Sequence, residues 1–362
     1  MKADRRAERQ AAVRAVLERD GLDALLVTHL PNIRYLTGFS GTAGLLLIRP
    51  DDATLVTDFR YAAQAPAEAG NSVSVEIDPA SVWDRLGRVL SAAPVRVLGI
   101  ESASLTVRDA EKVAGLGRYS VVPTTDIVER LRAVKSLDEV ASIQAAATLA
   151  QEALAEVLPT VHAGERELDV GARLESALRR RGSEWHPFQT IVASGERAAL
   201  PHARTSTRTI GRGEWLLIDF GAQVDGYCAD LTRTVLVGSK ADERQRAVYD
   251  LVRKAQSRAV ANMVAGMTGR QGDALARDPI TAGGYGEAFG HSLGHGLGLE
   301  VHEAPRLSPT AETPLPVHAV VTVEPGIYLP GWGGVRLEDD VYLGPDGPRC
   351  LSDNRTELIE LP

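Results

Sequence analysis

The chain has 362 residues, 44% of them apolar and 24% charged, with 34 glycines and a formal net charge of −8. That length reads as about two domains, each able to bury a core, and the composition excludes a disordered or collagen-like chain. The acidic balance offers no overall attraction to nucleic acid or an anionic membrane, and two cysteines, Cys228 and Cys350, are too few for a disulfide framework and lack C-x-x-C spacing.

A reducing cytoplasm is therefore the expected setting. The charged start Met1-Lys2-Ala3-Asp4-Arg5-Arg6 leads into no apolar stretch, so no signal peptide is expected, and runs such as Leu45–Ile48 are far too short to span a membrane. In chain order, the pattern predicts a helix ending near 11–17 and strands at 24–28, 44–48 and 53–57, the last two joined by the turn Arg49-Pro50-Asp51-Asp52. A strand at 73–77, a helix at 82–90, a strand at 95–100, a helix at 107–116 and a strand at 119–122 follow, with Pro123 ending the last. This alternation describes an α/β domain over residues 1–130.

A short helical segment runs through Val134, and Ser136-Leu137-Asp138-Glu139 is a capping box. Val140, Ile143, Ala147, Ala150, Leu154 and Val157 then recur at steps of three and four, one face of a helix that opens a second domain over 131–362. A further helix is expected near 167–180. After it the chain turns strand-rich and glycine-rich, which gives an α+β class.

Trp215-Leu216-Leu217-Ile218-Asp219-Phe220-Gly221 is a buried-strand pattern interrupted by an acid, Val224-Asp225-Gly226 supplies a hairpin turn, and 227–235 returns through Asp230. With a two-residue loop, facing partners have an odd index sum, which Asp219 and Asp230 satisfy. They share a face, opposite or diagonal. Buried together they need a cation or a shared proton, and a metal ion is the simpler compensation. The construction recurs downstream, where Val320-Val321-Thr322-Val323-Glu324 is answered by 333–340 carrying Glu338. Glu324 and Glu338 face one another only if the loop is odd or the strand bulges.

Between the hairpins, His291, His295 and His302 fall within twelve residues among glycines that disfavour a helix. Ser292 stands where H-E-x-x-H requires glutamate, so that zinc motif is absent. With four strand acids nearby, a metal or catalytic role is expected for at least one of the three. Gly284-Tyr285-Gly286 lacks the third glycine of a dinucleotide loop, and Cys228 reads as a core thiol.

Leu200-Pro201-His202-Ala203, Ile218 to Gly221, Asp230 to Thr234, His291 to His302, Val323-Glu324-Pro325-Gly326 and Arg336 to Asp340 resemble, in order, the motifs of the pita-bread metallopeptidases. That family includes methionine aminopeptidases, prolidases and aminopeptidases P. The creatinase-like N-terminal α/β domain, and His202 seventeen residues before Asp219, resemble the Xaa-Pro peptidase branch.

The resemblance implies a pita-bread catalytic domain in which Asp219, Asp230, His295, Glu324 and Glu338 hold two divalent ions, Mn²⁺ ahead of Co²⁺, Zn²⁺ or Fe²⁺, with Asp230 and Glu338 bridging. It further implies Glu324 as proton shuttle, and His291 and His302 as groups that contact substrate and stabilise the tetrahedral intermediate. His202 would line the pocket, while Arg336 would meet a substrate carboxylate or orient the neighbouring acids. The implied substrate is a small peptide with proline at the second position, and the implied assembly a homodimer. An Xaa-Pro dipeptidase leads over an aminopeptidase P, although Tyr35-Leu36-Thr37-Gly38-Phe39-Ser40-Gly41 resembles the N-domain of bacterial aminopeptidases P. A metal-free creatinase-like hydrolase and a non-catalytic peptide-binding module are the remoter alternatives.

Overall fold

Ala24–Val27 and Leu45–Ile48 are apolar and buried at every position, and both lie inside a sheet rather than at its edge. In the computed structural model, which describes residues 4–92, 94–352 and 356–362, the chain divides into two units, Met1–Arg132 and Ala133–Pro362. The expectation about the N-terminal start concerns residues of which 1–3 lie outside those described.

The first unit is a six-stranded mixed sheet in the order Ser74–Asp78, Ala53–Asp58, Leu45–Ile48, Ala24–Val27, Val97–Glu101, Ser120–Thr124. Its helix Val82–Ser91 starts at Ser81, whose hydroxyl accepts the Asp84 N–H, and sends Leu86 and Leu90 into a core with Leu26, Leu47 and Leu98. Two expectations need correction. Pro123 does not end the last strand: it pairs with Ile100 on an edge, where a missing N–H costs the sheet nothing. A helix at Leu30–Thr37 was not expected, although Pro31 near its start and Gly38 at its end, with φ 82°, mark both boundaries.

In the second unit, Leu137–Val157 and Glu167–Arg180 cover one face of the sheet Glu360–Leu361, Tyr227–Val237, Glu214–Val224, Ile191–Ser194. Leu216, Ile218, Phe220, Leu231 and Val235 point into that helical layer, so the alternate residues Asp219, Asp230 and Thr232 point the other way. A second sheet runs Glu303–Leu307, Gly294–Gly296, Val320–Val323, Asp339–Gly344, Gly347–Cys350. Its Val321, Val323, Val341 and Leu343 pack with Val248, Val252, Ala276 and Ile280 of two further helices, Glu243–Asn262 and Gly269–Ala282.

Those two helices were not expected within the strand-rich and glycine-rich chain beyond residue 180. Both begin at complete capping boxes, Asp242 with Gln245 and Thr268 with Gln271. Among the described residues no helix is long and apolar enough to cross a membrane.

Candidate metal centre

Asp225 and Gly226 have φ of 52° and 81°, the mirror-image turn that matches strand twist with a two-residue loop. The register sets Asp219 opposite Thr232 and Gly221 opposite Asp230, so Asp219 and Asp230 lie on a diagonal of one face. In the second hairpin Leu329 pairs with Gly333, leaving the odd loop 330–332. The same register carries through to Val323 opposite Asp339, which brings Glu324 and Glu338 to corresponding positions. An isolated β-bridge joins the hairpins, with the Glu338 N–H donating to the Thr232 carbonyl at 3.1 Å.

His295 reaches this junction on the short strand Gly294–Gly296. A Cβ on Gly294 would lie 2.1 Å from the Thr322 carbonyl oxygen, and one on Gly296 2.2 Å from that of Ala304, so only glycine lets the histidine strand press between its neighbours. The ring's Nδ1 donates to the Gly296 carbonyl at 3.0 Å, because a carbonyl can only accept. Its Nε2 lone pair is left facing Asp230 Oδ2 at 3.8 Å and Glu324 Oε1 at 3.6 Å. Asp230, His295 and Glu338 place ligand atoms within 4.8 Å of one another.

The electrostatics follow from packing four acids together out of water. Burial holds the carboxyls of Asp219, Asp230, Glu324 and Glu338 above their ordinary range, Glu338 at about 8. Mutual repulsion adds to it: Glu338 is the next largest influence on Asp230 and on Glu324, and Asp219 on Glu338. Burial also pushes His295 down to about 4, so it is neutral and ligand-ready at pH 7. Arg336 is the cation in contact, its Nη2 2.5 Å from Asp219 Oδ2. Oδ1 of Asp219 and Oδ1 of Asp230 are buried without a hydrogen-bond partner among the described residues. An imidazole lone pair set among the carboxylates of Asp230, Glu324 and Glu338, with Asp219 and Asp230 each keeping a buried oxygen that no described group satisfies, fits a divalent cation.

The other expected residues surround this cluster. His302 is exposed, its ring centroid 4.3 Å from that of His295. His202 is also exposed. His291 donates from Nδ1 to the Ser292 carbonyl at 2.7 Å and accepts at Nε2 from the Tyr328 hydroxyl at 2.8 Å. All the guanidinium nitrogens of Arg336 are engaged by protein: Nε with Thr232 Oγ1, Nη1 with the Pro201 carbonyl and Tyr328 hydroxyl, Nη2 with Asp219.

Three neighbours escaped the sequence reading. Thr232 donates to Glu338 Oε2 at 2.6 Å while accepting from Arg336; two residues beyond Asp230, it shares its face, and that alternation could have found it. Asp340 is fully buried, accepts the Asp230 N–H at 3.2 Å, and could have been found by the same alternation from Glu338. Tyr328 had no such signal, since its role depends on where Arg336 and His291 meet in space.

Comparison with known proteins is consistent along the whole chain. The pattern of Metallopeptidase family M24 matches residues 141–345 and that of the Creatinase/Prolidase N-terminal domain residues 9–134. An Xaa-Pro dipeptidase of Pyrococcus horikoshii is 37% identical over 347 residues, 95% of this chain and 96% of that protein. Among solved structures, an Xaa-Pro dipeptidase from Bacillus anthracis has a TM-score of 0.95 at 39% identity, covering 98% of this chain and 100% of the other. An X-Pro aminopeptidase from Thermotoga maritima has a TM-score of 0.88 at 36% identity, covering 95% and 99%.

Proposed function

Because the chain belongs to metallopeptidase family M24, with a creatinase/prolidase N-terminal domain and a pita-bread catalytic unit, we propose that it hydrolyses the imino bond of Xaa-Pro dipeptides. The observation that carries this is the buried Asp230, His295 and Glu338 cluster, in a chain whose similarity to the Pyrococcus and Bacillus dipeptidases runs nearly end to end. Release of the first residue from longer Xaa-Pro peptides is the second reading, favoured by the likeness to the Thermotoga aminopeptidase.

Asp219, Asp230, His295, Glu324 and Glu338 would hold two divalent ions, Mn²⁺ foremost. When bound, such a pair supplies Lewis-acid activation of the scissile carbonyl and of the attacking water. Glu324, with 19% of its side chain open, takes a proton from the water and delivers it to the proline nitrogen, which must be protonated to leave. Proline makes a dedicated site useful because it removes the amide N–H and fixes φ. His302 offers its ring N–H to the developing oxyanion, and His291, whose ring nitrogens are taken by the Ser292 carbonyl and the Tyr328 hydroxyl, shapes the wall beside it through Tyr328. His202 lines the open side. Arg336, with every nitrogen occupied, orients Asp219 instead of capping a substrate carboxylate. The proposal extends to a homodimer in a reducing cytoplasm, on the family resemblance and the two free thiols, Cys228 and Cys350.

Parallel kinetics on an Xaa-Pro dipeptide and an Xaa-Pro-Yaa tripeptide with Mn²⁺, repeated after exhaustive chelation, test this. Dipeptide turnover that disappears with the metal is expected. Preference for the tripeptide would install the second reading, and turnover that survives chelation would sink both.

A further inference from the structure

On the helix Gly269–Ala282, Asp273 and Arg277 sit one turn apart and meet through Arg277 Nε at 2.6 Å and Nη2 at 2.9 Å. An ion pair of this spacing is ordinarily a solvated surface feature of small worth. Here only 2% of the Asp273 side chain is exposed, and both partners also reach the loop in front of the helix. Arg277 donates from Nη1 to the Phe289 carbonyl at 2.8 Å and from Nη2 to the His291 carbonyl at 2.7 Å. Asp273 Oδ1 accepts the Leu293 N–H at 3.0 Å. Leu293 continues the chain of contacts, its carbonyl accepting the Glu324 N–H at 2.9 Å. The Arg277 guanidinium lies 4.2 Å from the Phe289 ring centroid, and the Phe289 ring meets that of His291 edge-on at 5.1 Å.

We propose that Asp273 and Arg277 are positioning residues that jointly set the His291 ring and the Glu324 backbone. The physical need is clear from the segment they hold. Residues 289–296 include Gly290, Gly294 and Gly296 and form just one short strand, so their backbone has little order of its own and is fixed from outside. The planar guanidinium spans two carbonyls at once, which a lysine ammonium on a flexible stem cannot reproduce. Fixing the His291 carbonyl from below leaves its Nδ1 to donate to Ser292 and its Nε2 to accept from Tyr328, a single neutral tautomer.

The kinetic part of this proposal rests on the proposed peptidase chemistry of Glu324 and His291, whereas the tautomer does not. The test therefore reads both in full-length, zinc-loaded protein carrying 15N-histidine, compared with Arg277→Met, Arg277→Lys and Asp273→Asn. Wild-type His291 is expected to show one tautomer with the proton on Nδ1, and Arg277→Met an average of both. On an Xaa-Pro dipeptide, kcat of Arg277→Met is expected to fall on the order of 10²-fold with KM nearly unchanged, and Arg277→Lys to recover part of the loss. Asp273→Asn keeps an acceptor for the Leu293 amide but loosens Arg277, so it gives the same ring change in milder form and serves where Arg277→Met does not fold. Wild-type His291 signals in a folded Arg277→Met or Asp273→Asn protein overturn the proposal whatever the turnover. A wild type that turns over no Xaa-Pro peptide counts against the proposed reaction, and the ring signals still decide this inference.

Discussion

Both units bury carboxylates, and the Glu101 site of the first and the acidic cluster of the second treat them in opposite ways. In the first unit Glu101 is buried at a strand end and both its oxygens are taken. Oε2 accepts the Thr28 N–H at 2.6 Å and the His29 N–H at 2.8 Å, and Oε1 accepts the Asn32 amide at 2.7 Å. Asn32 in turn accepts from Arg132 at 2.7 Å. In the second unit Asp219, Asp230, Glu324 and Glu338 crowd one another, and two of their oxygens have no partner among the described residues. A closed donor set makes a buried acid a piece of scaffold, whereas converging open oxygens make it a ligand. Burial alone separates nothing; the inventory of donors does.

The most forceful way to break that contrast is Asp230→Asn. It is nearly isosteric in a rigid hairpin, so the protein should fold, while turnover should fall by about 10³-fold or more as transition-state charge stabilisation is lost. Steady-state kinetics alongside circular dichroism check it. Wild-type rates in the folded variant would remove Asp230 from the ligand set.

Stripping the metal gives a signed effect of pH. Folded, metal-free Glu338 holds its proton up to about 8, against about 4.5 for an ordinary glutamate, so between these values the folded chain binds more protons than the unfolded one. Stability from this group is therefore fully present below about 4.5 and is lost as pH rises through about 8. Chelated protein should show a melting temperature that falls, relative to the metal-loaded protein, from pH 5 to pH 8. A difference that shrinks with pH would mean the acids are compensated by protein groups after all.

Glu101→Leu tests the other side of the comparison. It leaves the Thr28 N–H without its acceptor and the Asn32 amide with Glu129 alone, at a cost of about 3 kcal/mol in unfolding free energy. Metal content should not change. Denaturant titration and metal analysis together read this, and a loss of bound metal would blur the line drawn between the two sites.

How much of this was legible in the sequence follows from which interactions are periodic. That Asp219 and Asp230 share a face was readable because a two-residue turn and a period of two fix it, whereas their diagonal offset and the odd loop 330–332 that aligns Glu324 with Glu338 are visible only in the fold. The helix Glu243–Asn262 was also readable, with its capping box and Val248, Val252, Ala255 and Ala259 on one side, but glycines on either side suggested strands and turns. Pro123 misled because proline excludes a strand only where its missing N–H must pair, and edge position is a property of the sheet order. The contacts of Arg336 with Tyr328 and of Arg277 with the His291 loop join distant segments with no shared period. Only the folded chain shows them.

The subtlest prediction concerns Thr232, where the two kinds of site meet. Its hydroxyl is a fully used group, donating to Glu338 at 2.6 Å and accepting from Arg336 at 3.1 Å, yet it sits against the open cluster. Thr232→Val keeps the shape while removing both bonds, so Glu338 loses the donor that aims its Oε2. Mutation of such outer partners costs about 10- to 100-fold in metal affinity. The low end is expected here because the Glu338 backbone stays tied through its N–H to Thr232 and through its carbonyl to Arg233 at 2.6 Å. Thr232→Ser, which keeps the hydroxyl, should bind metal like the wild type in a calorimetric titration. Equal affinities in Thr232→Val and wild type would show that the backbone bridge alone aims Glu338, and that a closed group beside an open site need not tune it.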